Sequence, residues 1–324
     1  MEKISNLKKA FLNKKIGVLM GGVSAERNIS LNTGQSVLSA LQQKGYRAVA
    51  VDVDRDVART LQQNGIETAF IALHGRLGED GSIQGLLEVE GIPYTGSGVL
   101  SSAIAMNKGV AKQIFNGHRL PTPVFQIFDK TTDAAAALKK MITLPLPIVI
   151  KPTEEGSTIG ISIVKNEADL DRAISRALAC SSEILIEQFI AGQELTAAII
   201  NGTALPLIEI KPKSGFYDYQ SKYTTGATEY IVAPPMDKAL ENKIQDLALK
   251  AYRALFCCGA ARVDFMLAND RTPYILEVNT IPGMTETSLL PKAAEKAGMD
   301  FGNLVENILL QAKLHKQQPS FTEP

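Results

Sequence analysis

Apolar and polar positions change period along the chain, and those changes mark out its elements. Ile16–Met20 is a short unbroken apolar run, Gly21–Gly22 a turn, and Ser24 a candidate helix N-cap. Ile29, Thr33, Val37, Leu38 and Leu41 then recur at helical spacing until Gly45, which predicts a helix stop. Ala48–Val53 and Thr68–Leu73 read as the next strands, with a polar helix between them. Strand and helix alternating in this way predict a parallel sheet with crossover helices. Pro93–Gly98, rich in Gly and Ser, closes this lobe.

From Ser101 the pattern predicts one helix, carrying Met106 and Lys108 and running to about Phe115, ended by Pro121 and Pro123. A small α+β lobe follows: a strand near Pro147–Lys151, a Gly-rich loop, a strand at Gly160–Val164, a helix near Ala168–Leu178 and a strand Ile184–Glu187. A third lobe starts near Gln193, with Asn201–Gly202 as a type I′ hairpin signal. Pro212–Tyr230 reads as a long irregular stretch, and its length alone predicts a functional loop. Ala239–Leu255 is helical. The polar tail after Lys313 is expected to fray, and His315 within it carries no argument. The resulting division is 1–104, 105–192 and 193–324, a Rossmann-like parallel-sheet lobe followed by two mixed lobes.

Composition narrows the picture. A chain of 324 residues can bury a real core, and 45% apolar with 21% charged residues is ordinary for a soluble globular protein. The 34 basic and 34 acidic residues cancel, so no global charge draws the chain to nucleic acid or to an anionic membrane, and any anion site must be built locally. The three cysteines show no zinc spacing, and the vicinal Cys257 and Cys258 beside Gly259 read as small core residues. Met1–Lys15 is basic but lacks the apolar segment of a signal peptide, and no run approaches the roughly 18–20 apolar residues of a membrane span. The expectation is a cytoplasmic protein.

The richest chemistry lies in two late runs. Ala261–Leu267 carries Arg262 and Asp264, Pro273–Asn279 carries Glu277 and Asn279, and the turn-rich Ala268–Thr272 joins them as an antiparallel hairpin. Period-two alternation puts Arg262 and Asp264 on one face, and likewise Glu277 and Asn279. A hairpin centred near Asp270–Arg271 sets 264 opposite 277, so all four can point the same way. Three hard oxygen ligands on a rigid hairpin suit Mg²⁺; a solvated strand face is the alternative.

Three further segments could hold ligands. Lys151 ends a buried strand, and in the loop to Gly160 the glycines at 156 and 160 let the backbone close over an anion, with Ser157 and Thr158 as donors. A strand follows this loop, unlike a nucleotide loop that opens a helix; an ordinary hairpin loop is the alternative. Glu187–Gln–Phe–Ile190, with Glu194 beyond, could offer backbone groups and apolar surface to a flat ring and an acid to a ribose, or could be a linker. Gly21–Arg27 is a strand-to-helix turn in which Glu26 sits in the first turn, and Leu73–His74–Gly75 ends a strand on the same sheet edge, where ligands of such sheets collect.

Taken in order, these segments resemble the ATP-grasp carboxylate–amine ligases, specifically the D-alanine–D-alanine ligases. The resemblance rests on Gly21–Gly–Val–Ser–Ala–Glu–Arg27, Leu73–His–Gly–Arg76 with Gly78–Glu–Asp–Gly81, Lys151–Pro through Glu155–Gly–Ser157, Phe216–Tyr–Asp–Tyr219 with Lys222–Tyr223, Arg262–Val–Asp264, and Glu277–Val–Asn–Thr–Ile–Pro–Gly–Met284 with Ser288–Leu289. It covers roughly residues 15 to 313. Phe189 stands where many relatives carry a tryptophan, a change that keeps stacking, and Ile281 replaces a small polar residue.

The resemblance implies an N-terminal Rossmann-like lobe followed by a two-lobed ATP-grasp fold, and ATP-dependent joining of two D-alanines through an acyl phosphate for peptidoglycan synthesis. It assigns Lys108, Lys151 and Lys222 to ATP, Glu187, Gln188, Phe189 and Ile190 to its adenine, and Glu194 to its ribose. Asp264, Glu277 and Asn279 would carry two Mg²⁺ ions, with Mn²⁺ as a substitute. Glu26 would bind the first D-alanine's ammonium in a chain with Ser157 and Tyr223. His74, Ser288 and Leu289 would meet substrate, Ser288 and Leu289 taking the second carboxylate. Arg262 and the Gly283 N–H would stabilise the tetrahedral intermediate. A homodimer is implied too. Two rivals remain: a ligase joining D-alanine to D-lactate, against which Tyr223 argues, and a nucleotide-binding dehydrogenase or sensor, whose glycine fingerprint is missing.

Overall fold

Strand β1 (Lys15–Gly21) is buried from its second residue onward because both faces are covered, as expected of a central parallel strand. In the computed structural model, which describes residues 2–129, 135–156, 158–213, 226–285 and 287–315, β1 lies between β2 (Arg47–Val53) and β3 (Thr68–Ile71), both parallel to it. The predicted βαβ order therefore holds. The crossover helix, Arg27–Gln43, buries Thr33, Val37, Leu38 and Leu41, while Ile29 is only partly covered. Ser24 is not its N-cap. The helix starts three residues later, and the Ser24 hydroxyl instead donates to the His74 carbonyl at 2.7 Å.

The predicted single helix from Ser101 is two, Val99–Met106 and Lys108–Gly117. Asn107 between them has extended backbone, and its side chain caps the second helix by accepting the Val110 N–H at 3.0 Å. That break puts Lys108 at a helix start. A four-stranded antiparallel sheet follows, in the order β4 (Phe125–Asp129), β7 (Glu183–Gln188), β5 (Ile148–Pro152), β6 (Ser162–Val164), closed by the Leu170–Leu178 helix. Its core is Phe128, Ile148, Ile150, Ile174 and Ile186. Helix Lys108–Gly117 instead roots Ala111 and Phe115 in the core of the third lobe.

That lobe is a six-stranded sheet with path β11 (Thr228–Val232), β10 (Ile208–Pro212), β8 (Gly192–Ile200), β12 (Ala260–Ala268), β13 (Pro273–Asn279), and β9 (Thr203–Ala204) paired on β8. Asn201 and Gly202 both have positive φ, as a type I′ turn requires. The stretch Pro212–Tyr230 is not irregular to its end: Thr228 to Val232 pair with Pro212 to Ile208, so it is a hairpin connection. The Lys238–Ala254 helix covers one face of this sheet. On the other face Ala198, Ile200, Ile208 and Ile210 share one core with Val18, Val37 and Leu41 of the first lobe and with Leu290, Leu304 and Leu309 of the terminal helices.

The tail is fixed further than expected. Lys313 exchanges two backbone hydrogen bonds with Tyr94, at 3.1 and 3.2 Å, and His315 packs on the Tyr94 ring with centroids 5.2 Å apart. Close approach elsewhere depends on Gly192, where a Cβ would lie 1.9 Å from the Leu267 carbonyl oxygen across the β8–β12 ladder. Gly192→Ala is expected to destabilise by about 1–3 kcal/mol, as overpacking does. An unchanged denaturation midpoint for that variant would contradict the ladder's geometry at this point.

Candidate active site

The β12–β13 hairpin delivers the acids. Arg262 pairs with Asn279, Val263 with Val278 and Asp264 with Glu277, as the alternation predicted. The route to that register differs from the simple hairpin. Phe265 pairs with Ile275 and Leu267 with Pro273, so Leu276 is an extra residue, a β-bulge between the two registers. Without it Asp264 would face Leu276, and Glu277 would take the core position now filled by Val278.

Asp264 is buried and fully engaged. Its Oδ1 accepts from Thr196 Oγ1 at 2.6 Å and from Arg262 Nε at 2.8 Å, and its Oδ2 accepts from Arg262 Nη2 at 2.8 Å. Glu277 Oε2 lies 3.2 Å from Lys108 Nζ. Asn279 Oδ1 accepts the Ile281 N–H at 2.9 Å, which orients the amide and leaves its oxygen a second lone pair. Among the described residues no group of three His, Cys, Asp or Glu side chains forms a metal cluster; the donor set here is two carboxylates and an amide. Two fixed cations on two neighbouring carboxylates mark a spot that demands positive charge, and an all-oxygen set fits Mg²⁺.

Lys108 links this hairpin to the Gly-rich loop, since its Nζ also donates to the Glu155 carbonyl at 2.8 Å. Lys151, at the end of β5, holds Glu187 Oε1 at 2.5 Å. Glu187, expected at the adenine edge, has its carboxylate buried between Lys151 and Lys112, the latter 2.8 Å from Oε2. Burial pushes Glu187 up, but the two ammonium groups outweigh it and hold the carboxyl below its ordinary value. Gln188 and Phe189 spend their backbone N–H groups on the Val124 and Pro147 carbonyls, at 2.9 and 3.3 Å. Phe189, Ile190 and Glu194 are half-buried along the edge where β7 leads into β8.

Glu26 approaches from the first lobe. A Cβ at Gly75 would lie 2.8 Å, and one at Gly156 3.1 Å, from its Oε2, so both glycines are needed for the carboxylate to sit between the His74 strand end and the Gly-rich loop. Gly75 also has φ +69°, which favours glycine outright. His74 is buried, with Nε2 3.1 Å from Thr33 Oγ1 and a second hydrogen bond to the Ile281 backbone. Burial lowers its pKa, keeping the ring neutral at pH 7. The ring therefore ties the helix that follows Glu26 to the segment after β13.

Ser288 N-caps the Leu289–Lys296 helix by position, and its hydroxyl accepts the Thr285 N–H at 3.0 Å. The Leu289 side chain is in the core, so only its backbone N–H faces the helix start, one of the unpaired amides that favour a carboxylate. Gly283 lies beside it: a Cβ there would come within 3.0 Å of Ser288 Oγ. Ser157, Lys222 and Tyr223 lie outside the described residues. Cys257 is buried, with its thiol pushed up to about 11, as a core residue should be.

Two residues were given no role by the sequence reading. Lys112 is fully buried, one turn beyond Lys108 on the same helix face. Glu79 accepts the Gly75 N–H at 2.6 Å, and burial together with the Glu26 carboxylate pushes it up to about 8. The native protein thus keeps a proton there that the unfolded chain loses above about pH 4.5. Stability from this group is complete below that pH and is lost as pH rises through about 8. Glu79→Gln should flatten the fall of the denaturation midpoint between pH 5 and 8; parallel profiles for the two proteins would refute this.

Comparisons with known proteins agree with the geometry. A model of the D-ala D-ala ligase C-terminus matches residues 114–310, and one of the D-ala D-ala ligase N-terminus matches residues 57–97. The D-alanine–D-alanine ligase of Syntrophotalea carbinolica is 52% identical over 94% of this chain and 97% of its own, and that of Desulforudis audaxviator 50% over 93% and 99%. A solved Bacillus anthracis D-alanine–D-alanine ligase superposes with TM-score 0.81 at 38% identity, covering 90% of this chain and 95% of its own. The same enzyme complexed with ATP gives 0.79 at 35%, over 91% and 96%. With both family models matched in order and half of all positions shared along nearly its whole length, this chain belongs to the D-alanine–D-alanine ligase family.

Proposed function

We propose that this chain is an ATP-dependent D-alanine–D-alanine ligase that makes D-alanyl-D-alanine for peptidoglycan precursors. The observation that carries the reading is convergence: Lys108 bonds the Glu155 carbonyl at 2.8 Å and Glu277 at 3.2 Å, joining the Gly-rich loop to the Arg262/Asp264/Glu277 face, and the Glu26 carboxylate of the first lobe lies where a Cβ on Gly156 would come within 3.1 Å of it.

In this reading Lys108, Lys151 and Lys222 serve ATP, Lys108 and Lys151 by holding its phosphates. The Glu187–Ile190 edge meets adenine through Gln188, Phe189 and Ile190, and Glu194 takes the ribose. Asp264, Glu277 and Asn279 would hold Mg²⁺, two ions with Mn²⁺ as a substitute, which when bound neutralises charge on the transferring phosphoryl group. Glu26 binds the ammonium of the first D-alanine, whose carboxylate attacks the γ-phosphate, forming the acyl phosphate as the β–γ bond breaks and ADP leaves. The second D-alanine is held by its carboxylate at Ser288 and the Leu289 N–H, and its deprotonated amine attacks the acyl phosphate carbonyl, forming the amide as a proton is lost and inorganic phosphate leaves. Arg262 and the Gly283 N–H receive the developing oxyanion. The same reading gives Ser157 and Tyr223 a role with Glu26 in shielding the acyl phosphate from water.

The division at 104/105 and 192/193, a homodimer and a cytoplasmic location belong to the same reading; no helix among the described residues is long and apolar enough to cross a membrane. The test is phosphate release from ATP with D-alanine, L-alanine and D-lactate offered separately, and product analysis with D-alanine and D-lactate offered together. Release with D-alanine and the dipeptide as product is expected. Release independent of D-alanine, or a depsipeptide as main product, would overturn the reading.

A further inference from the structure

Lys112 is fully buried, and the chemistry just described does not use it. Its ammonium lies 2.8 Å from Glu187 Oε2, donates to Thr122 Oγ1 at 2.5 Å and stands 5.7 Å over the Phe125 ring. Thr122 in turn donates to the Ile275 carbonyl of β13 at 2.8 Å, tying the lysine to the strand that bears Glu277. On its other oxygen Glu187 holds Lys151. Two ammonium groups therefore share one buried carboxylate, an excess of positive charge in a site that solvates neither.

We infer that Lys112 is a positioning residue that keeps the Glu187 carboxylate neutralised when the Lys151 ammonium turns from it to the nucleotide's phosphates. The inference deepens the proposed function and rests on its assignment of Lys151 to phosphate. The physical reason is the cost of a buried charge left alone. Were Lys112 absent, moving Lys151 to a phosphate would strand Glu187 unpaired, so Glu187 would hold Lys151 back. With Lys112 fixed by Thr122, the departure of Lys151 leaves a one-to-one ion pair and relieves the crowding of two cations. That crowding and the burial together push Lys112 down to about 8 in the resting protein.

Adenosine carries no phosphate and asks nothing of Lys151, so the ratio of ATP to adenosine affinity reads the inference directly. By calorimetry on the whole chain, Lys112→Met should bind ATP about tenfold more weakly, the size of one charge-assisted hydrogen bond, with adenosine affinity held within about threefold. Equal weakening of both ligands, or of neither, would overturn it. Because Lys112→Met leaves a buried carboxylate half-paired and could fail to fold, Glu187→Gln is compared with the double variant Glu187→Gln/Lys112→Met. Once the carboxylate is gone Lys112 has no task, so the two should bind ATP alike; a further tenfold loss in the double variant would refute the inference. Lys151→Met separates the two levels. If it leaves the ATP-to-adenosine ratio unaltered, the phosphate assignment falls and the inference with it. If it lowers the ratio while Lys112→Met does not, only the inference falls.

Discussion

Glu277→Gln is expected to give a folded protein whose turnover falls about a hundredfold or more. The substitution keeps size and one acceptor oxygen but removes the negative charge at the spot now answered by Lys108, 3.2 Å away. Metal stabilisation of phosphoryl charge amounts to several kcal/mol, and each 1.4 kcal/mol is about tenfold in rate. Stability should change little, because Lys108 keeps its bond to the Glu155 carbonyl. Mn²⁺ binding followed by electron paramagnetic resonance should weaken in parallel with turnover. Near-normal kcat at saturating Mg²⁺ would remove the hairpin as a metal site.

Arg262→Ala should lose about a hundred- to a thousandfold in kcat, the range measured for removal of an oxyanion donor. It should also lose stability, since the guanidinium that grips both oxygens of the buried Asp264 is gone, and breaking such a pair from one side costs about 3–5 kcal/mol. The two losses are separable. Arg262→Lys keeps a charge beside Asp264 but not the planar fork, so it should recover more stability than rate. Mg²⁺ should raise the denaturation midpoint of Arg262→Ala more than that of the wild type, because Asp264 no longer has a competing cation. Turnover within threefold of wild type under saturating substrates would show that Arg262 serves the fold alone.

The hairpin that both predictions address was legible from its residues because strand alternation is local: side-chain direction follows from position within the strand. Even so, the pairing of Asp264 with Glu277 was reached through a turn centred half a residue away from the real one, and the bulge at Leu276 makes up the difference. The bulge has no sequence signature, since Leu276 fits an apolar strand as well as any neighbour. Glu26 was legible as a helix-start acid, but not its approach to Gly156, which depends on how the first lobe meets the Gly-rich loop.

What the sequence by itself determined is what local rules govern: the βαβ order of the first sheet, the Asn201–Gly202 turn, the Gly-rich loop between two strands, and the face shared by Asp264 and Glu277. Only the tertiary structure decided which distant groups meet. Lys112 and Glu187 are 75 positions apart, one on a helix and one on a strand, and neither residue's neighbours reveal the other. The same holds for His315 on Tyr94 and for the break at Asn107, where a side-chain cap competed with a continuous helix and won. A buried ion pair is specified by the packing that excludes water around it, and that packing is a property of the whole fold.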